Sequence, residues 1–193
     1  MSTRKRLIVG ISGASGAAYG VRLLTLLRRC GVETHLVISD AAEVTLALET
    51  DTTLAELEGF ADVVYSRRDI GAAISSGSFR TMGMIVCPCS MRTLAEIANG
   101  ITASLLTRAA DVVLKERRRL VLVVREAPLH LGHLRNMTAV TEMGAVVYPP
   151  VPAMYAKPAS IEEMIDHTLG RVLDLFEIDS GTVRRWREPP AEA

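Results

Sequence analysis

Two short stretches of small residues carry the groups best suited to holding an anion. The first reads Gly10-Ile11-Ser12-Gly13-Ala14-Ser15-Gly16-Ala17-Ala18-Tyr19-Gly20 and follows the apolar run from Leu7. Glycines let a strand turn sharply into a helix and bring backbone N–H groups close to an anion at the helix N-terminus. Ser12 and Ser15 add hydroxyl donors. The spacing is neither the dinucleotide GxGxxG pattern nor a Walker loop, and close packing of helix on strand is the plainer alternative. The second stretch, Pro88-Cys89-Ser90-Met91-Arg92-Thr93, follows the run Met84 to Cys87. Pro88 is expected to break that strand, and Ser90 to cap the next helix beside free N–H groups. Two such turns at strand ends suggest a mononucleotide lying across a sheet edge.

Charged residues suggest where acid–base work and phosphate clamping would sit. Arg108, Asp111 and Lys115 fall at i, i+3 and i+7, so they share one helix face and could grip a phosphate dianion. The simpler alternative is an exposed Asp111–Lys115 pair of small energetic value. Arg125 and Glu126 directly follow the run Leu120 to Val124, where α/β folds place chemistry. Glu126 suits proton transfer there and Arg125 suits a phosphate, although a surface ion pair explains both equally well. Tyr155 is presented by the proline-set segment Tyr148 to Tyr155, and Arg171 lies at the edge of the apolar stripe of the following helix, where it could also simply snorkel. The loop Ile74 to Thr81, rich in serine and glycine, reads as a surface loop or as a cover over a ligand.

Other groups argue against alternatives. Cys30, Cys87 and Cys89 form no CxxC pair, and His130 with His133 lacks a third ligand, so no metal site is expected. The thiols fit a reduced, cytoplasmic protein. The opening apolar run is too short for a signal segment or a membrane span. With 22 basic and 22 acidic residues, no global field recruits nucleic acid or anionic lipid, and the run Lys115 to Arg119 reads as a solvated helix end.

The elements that must position these groups follow from periodicity. Apolar, β-branched runs at Leu7 to Ile11, Glu33 to Ile38, Met84 to Cys87, Leu120 to Val124 and Ala145 to Tyr148 predict strands. Helices are predicted over Ala17 to Arg29, Ala41 to Leu48 with Ser39 as N-cap, Met91 to Ala98, Ala103 to Arg118, Gly132 to Met143 and Ile161 to Phe176. Strands apolar throughout and alternating with helices imply a parallel sheet covered on both faces, a doubly wound α/β fold. The 193 residues, 49% apolar, suffice for one domain spanning residues 1–187, with 188–193 as a flexible tail.

The segments Gly10 to Ala17, Ser76-Gly77-Ser78-Phe79, Pro88 to Met91, Arg108 to Val112, Lys115 to Arg118, Arg125 to Leu129 and Pro152-Ala153-Met154-Tyr155 occur in this order. Together they resemble the flavin prenyltransferase family, long described as aromatic-acid decarboxylases, over roughly residues 5–187. The resemblance implies a flavodoxin-like Rossmann domain that joins the dimethylallyl group of dimethylallyl monophosphate to N5 and C6 of reduced FMN, without metal, and releases phosphate. It further implies a homododecamer with active sites between subunits, and delivery of the prenylated FMN to a separate decarboxylase serving ubiquinone synthesis or aromatic-acid degradation. Carried onto this chain, Gly13, Ala14, Ser15, Ser39, Ser90, Met91, Arg92, Thr93 and Arg125 correspond to the FMN contacts. Arg108, Lys115, Tyr155 and Arg171 correspond to the dimethylallyl-phosphate contacts, and Ser15 with Glu126 to the proton-handling pair. Met154 stands where that family more often has Phe. Rival readings are an FMN carrier, an accessory subunit of an aromatic-acid decarboxylase, and a cysteine decarboxylase of the phosphopantothenoylcysteine type. The last needs Asn where this chain has Tyr155.

Overall fold

A computed structural model describes residues 4–187; the tail expected at 188–193 lies outside the described residues. Strands β1 (Arg6–Ile11), β2 (Glu33–Ile38), β3 (Val63–Tyr65), β4 (Gly83–Cys89), β5 (Arg119–Val124) and β6 (Val146–Val147) form one six-stranded sheet in the order β3-β2-β1-β4-β5-β6. All pairings are parallel. The chain order reverses between β1 and β4, and such a switch point leaves a crevice at the carboxyl ends of the strands.

Alternation along the strands divides the core. Leu7, Val9, Leu36, Ile85, Val121 and their neighbours bury one sheet face under α1 (Ala17–Arg29), α2 (Asp40–Glu49), α3 (Leu54–Gly59) and α7 (Ile161–Asp174). Ile8, Val37, Met84, Val86, Leu120 and Leu122 bury the other under α4 (Met91–Ala98), α5 (Leu105–Lys115) and α6 (Leu131–Glu142). Period-two side-chain direction on a sheet covered on both sides produces this division.

Several boundaries differ from the sequence reading, each for a local reason. Pro88 does not break β4, which continues to Cys89. Instead the pairing with β5 shifts register between Val86 and Cys89, as at a bulge. One consequence is that Cys87 joins one core face and Cys89 the other, although alternation alone would align them. Helix α5 begins at Leu105 because Ser104 caps it by accepting from the Thr107 N–H, and it ends at Lys115. Arg117 then takes a left-handed φ of 56°, and Arg119 opens β5, so the basic run starts at the helix end and continues through a turn into the next strand. The short α3 and β3 were not anticipated, being only six and three residues long.

Candidate active site

The parallel sheet brings the turns after β1, β2, β4 and β5 to one edge, and with them Gly13, Ala14, Ser15, Ser39, Ser90 to Thr93, Arg125 and Glu126. Gly13 is required by contact: a Cβ there would meet the Ala41 side chain and lie 2.8 Å from the Ala41 carbonyl carbon. The first turn therefore lies directly against the start of α2. Ser39 caps α2 by accepting from the Ala42 N–H at 3.2 Å, and its own N–H donates to Ile11 O at 3.0 Å. Ser90 caps α4 in the same way, accepting from Thr93 N–H at 3.2 Å while its hydroxyl donates to Thr93 Oγ1 at 3.1 Å. The Arg92 side chain is exposed and pairs with Glu96 at 2.9 Å, one turn further along α4.

The decisive carboxylate at the first turn is one the sequence reading passed over. Helix α2 packs beside α1, and its last residue, Glu49, reaches the start of α1. Glu49 Oε2 accepts from Gly16 N–H at 2.7 Å and from Ala17 N–H at 2.9 Å. Gly16 supports this with a left-handed φ of 104° that turns its amide toward the carboxylate. Partial burial raises the Glu49 carboxyl, but hydrogen bonds from the Ser15 hydroxyl and the Ala17 and Gly16 amides, with the nearby Arg125 charge, outweigh it. The net effect holds Glu49 below the ordinary carboxylate range. Burial raises the Tyr19 phenol, Cys87 adds to the rise and Arg125 opposes it, so Tyr19 belongs to the same neighbourhood. No sequence spacing links Glu49 to Ser15; only the tertiary placement of α2 does so.

Ser12, expected to offer its hydroxyl to an anion, is buried and spends it inside the protein: Oγ donates to Pro88 O at 2.9 Å and accepts from Ser90 N–H at 2.8 Å. Glu126 is exposed, its Oε1 accepting from Ala127 N–H at 3.0 Å. Cys87 and Cys89 are fully buried, and burial drives both thiols up, Cys89 to about 12, which makes them packing groups rather than nucleophiles.

The expected substrate residues lie elsewhere on the chain. Arg108 bonds Asp111 at 2.7 Å, an i,i+3 pair in place of the anticipated Asp111–Lys115 pair, and Lys115 instead pairs with Glu116. Lys115 ends α5 just before β5 begins, whereas Arg125 follows the far end of β5. Six residues of parallel strand separate those edges, about 20 Å at about 3.3 Å per residue. The loop Ile74 to Thr81 is pinned beside Lys115, with Arg118 donating to Gly77 O and Phe79 O at 2.7 Å each. Phe79 packs edge-on against the buried His35, so within one chain this loop does not cover the switch-point crevice.

A third cluster gathers beside β6. Tyr155 sits on a short 3-10 turn, its ring edge-on to His167 at 5.8 Å and to the exposed Trp186 at 5.2 Å. Burial raises the Tyr148 phenol; Arg171 opposes this, while Tyr155 and Asp174 add to it, which places these side chains together. Trp186 is an exposed aromatic that the sequence reading did not single out. His130 caps α6, its Nδ1 accepting from Gly132 and His133 N–H groups. Among the described residues no group of three or more His, Cys, Asp or Glu is arranged to hold a metal, and no helix is long and apolar enough to cross a membrane.

A family model described as Flavoprotein matches residues 1–185. The chain is 63% identical over 175 residues to flavin prenyltransferase UbiX of Escherichia coli K12, covering 90% of this chain and 93% of that protein. This chain belongs to the flavin prenyltransferase family. Among solved structures, AnUbiX (PadA1), in complex with FMN and dimethylallyl pyrophosphate, superposes with a TM-score of 0.95 at 54% identity, covering 96% of this chain and 99% of that one. A dodecameric FMN-dependent UbiX-like decarboxylase from Escherichia coli O157:H7 gives a TM-score of 0.92 at 50% identity over 95% of this chain and all of the other. As a flavin prenyltransferase family member, the chain presents its small-residue turns at the sheet's switch point and its candidate phosphate-binding cations on two other surfaces.

Proposed function

We propose that this chain transfers the dimethylallyl group of dimethylallyl monophosphate to N5 and C6 of reduced FMN, giving prenylated FMN and phosphate. The observation that carries this reading is the Ser15–Glu49 couple, set in the same switch-point turns as Gly13, Ala14, Ser39, Ser90 to Thr93 and Arg125. The pieces fit a mononucleotide: a glycine-permitted close turn, two capped helix starts and an arginine at one crevice. Reduced FMN, when bound, supplies the electron-rich ring that accepts the five-carbon unit. Ser15, Glu49 and Glu126 then handle protons at the ring, Ser15 Oγ passing them to and from the Glu49 carboxylate. Arg108, Lys115 and Arg171 stabilise the charge that gathers on the departing phosphate, and Tyr155 borders the allyl group.

Because the Lys115 and Arg125 surfaces lie far apart on one chain, the complete site is assembled between copies in a homododecamer. The known dodecameric relative supports this assembly, and the relative bound to FMN with dimethylallyl pyrophosphate supports the pair of ligands. The product passes to a separate decarboxylase. Three cysteines without a disulfide suit the reducing cytoplasm as the place of action.

The test is anaerobic incubation of the purified chain with reduced FMN and either dimethylallyl monophosphate or pyrophosphate, followed by mass analysis of the flavin. A gain of one five-carbon unit with release of phosphate from the monophosphate is the expected result. Bound but unmodified FMN with both donors would make the chain a flavin carrier instead.

A further inference from the structure

The geometry points to Ser12 as a positioning residue that fixes the distance between the two turns of the flavin site. It rests on the reading that FMN spans the β1–α1 and β4–α4 turns. Regular pairing of β1 with β4 runs from Ile8↔Met84 to Gly10↔Val86 and then stops. Beyond that point β4 shifts register, and Pro88 has no N–H to continue a ladder. Ser12 takes over where the ladder ends. Its backbone N–H and its hydroxyl both donate to Pro88 O, at 3.2 and 2.9 Å, and its Oγ accepts from Ser90 N–H at 2.8 Å.

One hydroxyl therefore serves as donor and acceptor between the two turns, at a position only 1% exposed. Ser12 immediately precedes Gly13-Ala14-Ser15, and the amide it receives opens Ser90 to Thr93. Removing the hydroxyl leaves the Ser90 N–H without its acceptor in a partly buried setting and the Pro88 carbonyl short of one buried donor, which favours a shift of one turn relative to the other. A ligand held by both turns loses its fit, whereas the Lys115 and Arg171 surfaces are untouched. Ser12 thus acts on FMN through the spacing of its neighbours, with its own hydroxyl already consumed.

The experiment compares the intact oligomeric chain with Ser12→Ala, Ser12→Thr and Thr34→Val. It measures FMN Kd by flavin fluorescence, KM for FMN and for dimethylallyl monophosphate, and the thermal midpoint. Ser12→Ala is expected to raise FMN Kd and KM about tenfold, the scale of one lost buried hydrogen bond, with KM for the allyl donor unchanged. Ser12→Thr keeps the hydroxyl and is expected to restore FMN affinity. Thr34, whose hydroxyl bonds Asp62 at the opposite sheet edge, is the structural control: its Val variant loses stability without a change in FMN Kd. Ser12→Ala behaving like Thr34→Val, less stable with FMN Kd unmoved, would overturn the inference. If Ser12→Ala does not fold, Ser12→Cys, similar in volume but a weaker hydrogen-bonding group, is held to the same criterion. A wild-type chain that binds no FMN would refute the flavin reading itself, a result distinct from either variant outcome.

Discussion

At the scale of single residues, Glu49 is the most consequential group that the fold supplies. Its carboxylate accepts from the N–H of the N-cap Gly16 and from that of Ala17, the first residue of α1, and it pairs with Ser15 as well. Burial alone would raise its carboxyl, yet the Ser15, Ala17 and Gly16 hydrogen bonds and Arg125 hold it below its ordinary value. A group whose native value is depressed stabilises the fold above its unfolded value of about 4.3, and that contribution fades as pH falls through the native value. Wild-type stability is therefore expected to drop more steeply than that of Glu49→Gln as pH is lowered from about 5 to about 3, read as thermal midpoint against pH. The same substitution is expected to slow prenyl transfer by about 10²–10⁴-fold while FMN still binds, measured by anaerobic turnover and flavin titration. Parallel midpoint curves for the two proteins would mean that Glu49 is not held by these amides. Glu126, exposed and bonded only to the Ala127 amide among the contacts shown, lacks such an embrace within one chain.

At the scale of elements, the small residues of the first turn are tested by bulk. A methyl at Gly13 must displace the Ala41 backbone, because the added Cβ would lie 2.8 Å from its carbonyl carbon. Gly13→Ala is expected to cost about 1–3 kcal/mol, the range of overpacked sites, read by denaturant unfolding, and to weaken FMN binding in the same variant. Unchanged stability would show that α2 yields freely. What the chain discloses before folding also divides by element. Strands β1 and β5 are legible because both sheet faces are covered, so after an opening arginine every residue of each run is apolar or glycine; β2 keeps its expected bounds on the apolar run Leu36 to Ile38, although it opens on Glu33-Thr34-His35. Helices α1 and α4 keep their expected bounds because a strong apolar stripe meets a glycine or serine signal at an end. β4 was read too short, since Pro88 signals a break whereas a register shift absorbs it. The switch-point turns were visible as local glycine and serine patterns, but Glu49 was not. Its partner Ser15 lies 34 positions earlier, and only the packing of α2 beside α1 joins them.

At the scale of the whole molecule, the proposed site is incomplete in one chain, and the surface matches that reading. Leu48 on α2, Val151 and Met154 near the β6 edge stand 80%, 72% and 73% exposed, large apolar side chains left in water by a single copy. The two functional surfaces are similarly unjoined: Lys115 lies at the amino edge of β5 and Arg125 at its carboxyl edge. Association that buries the former set can bring Lys115 of one copy to the crevice of another, which no rearrangement within a parallel sheet achieves. This distinguishes shared sites from sites contained in one chain. Arg125→Ala and Lys115→Ala are each expected to be nearly inactive alone, since each removes a charge from every site in its own oligomer. Co-assembled in equal amounts, they are expected to recover about a quarter of wild-type activity, because random mixing makes about one site in four from two intact contributions. Activity of co-expressed, tandem-purified mixed oligomers checks this directly. Recovery no greater than the sum of the separate variants would place Lys115 and Arg125 in the same chain's site, and the assembled-site reading would fail.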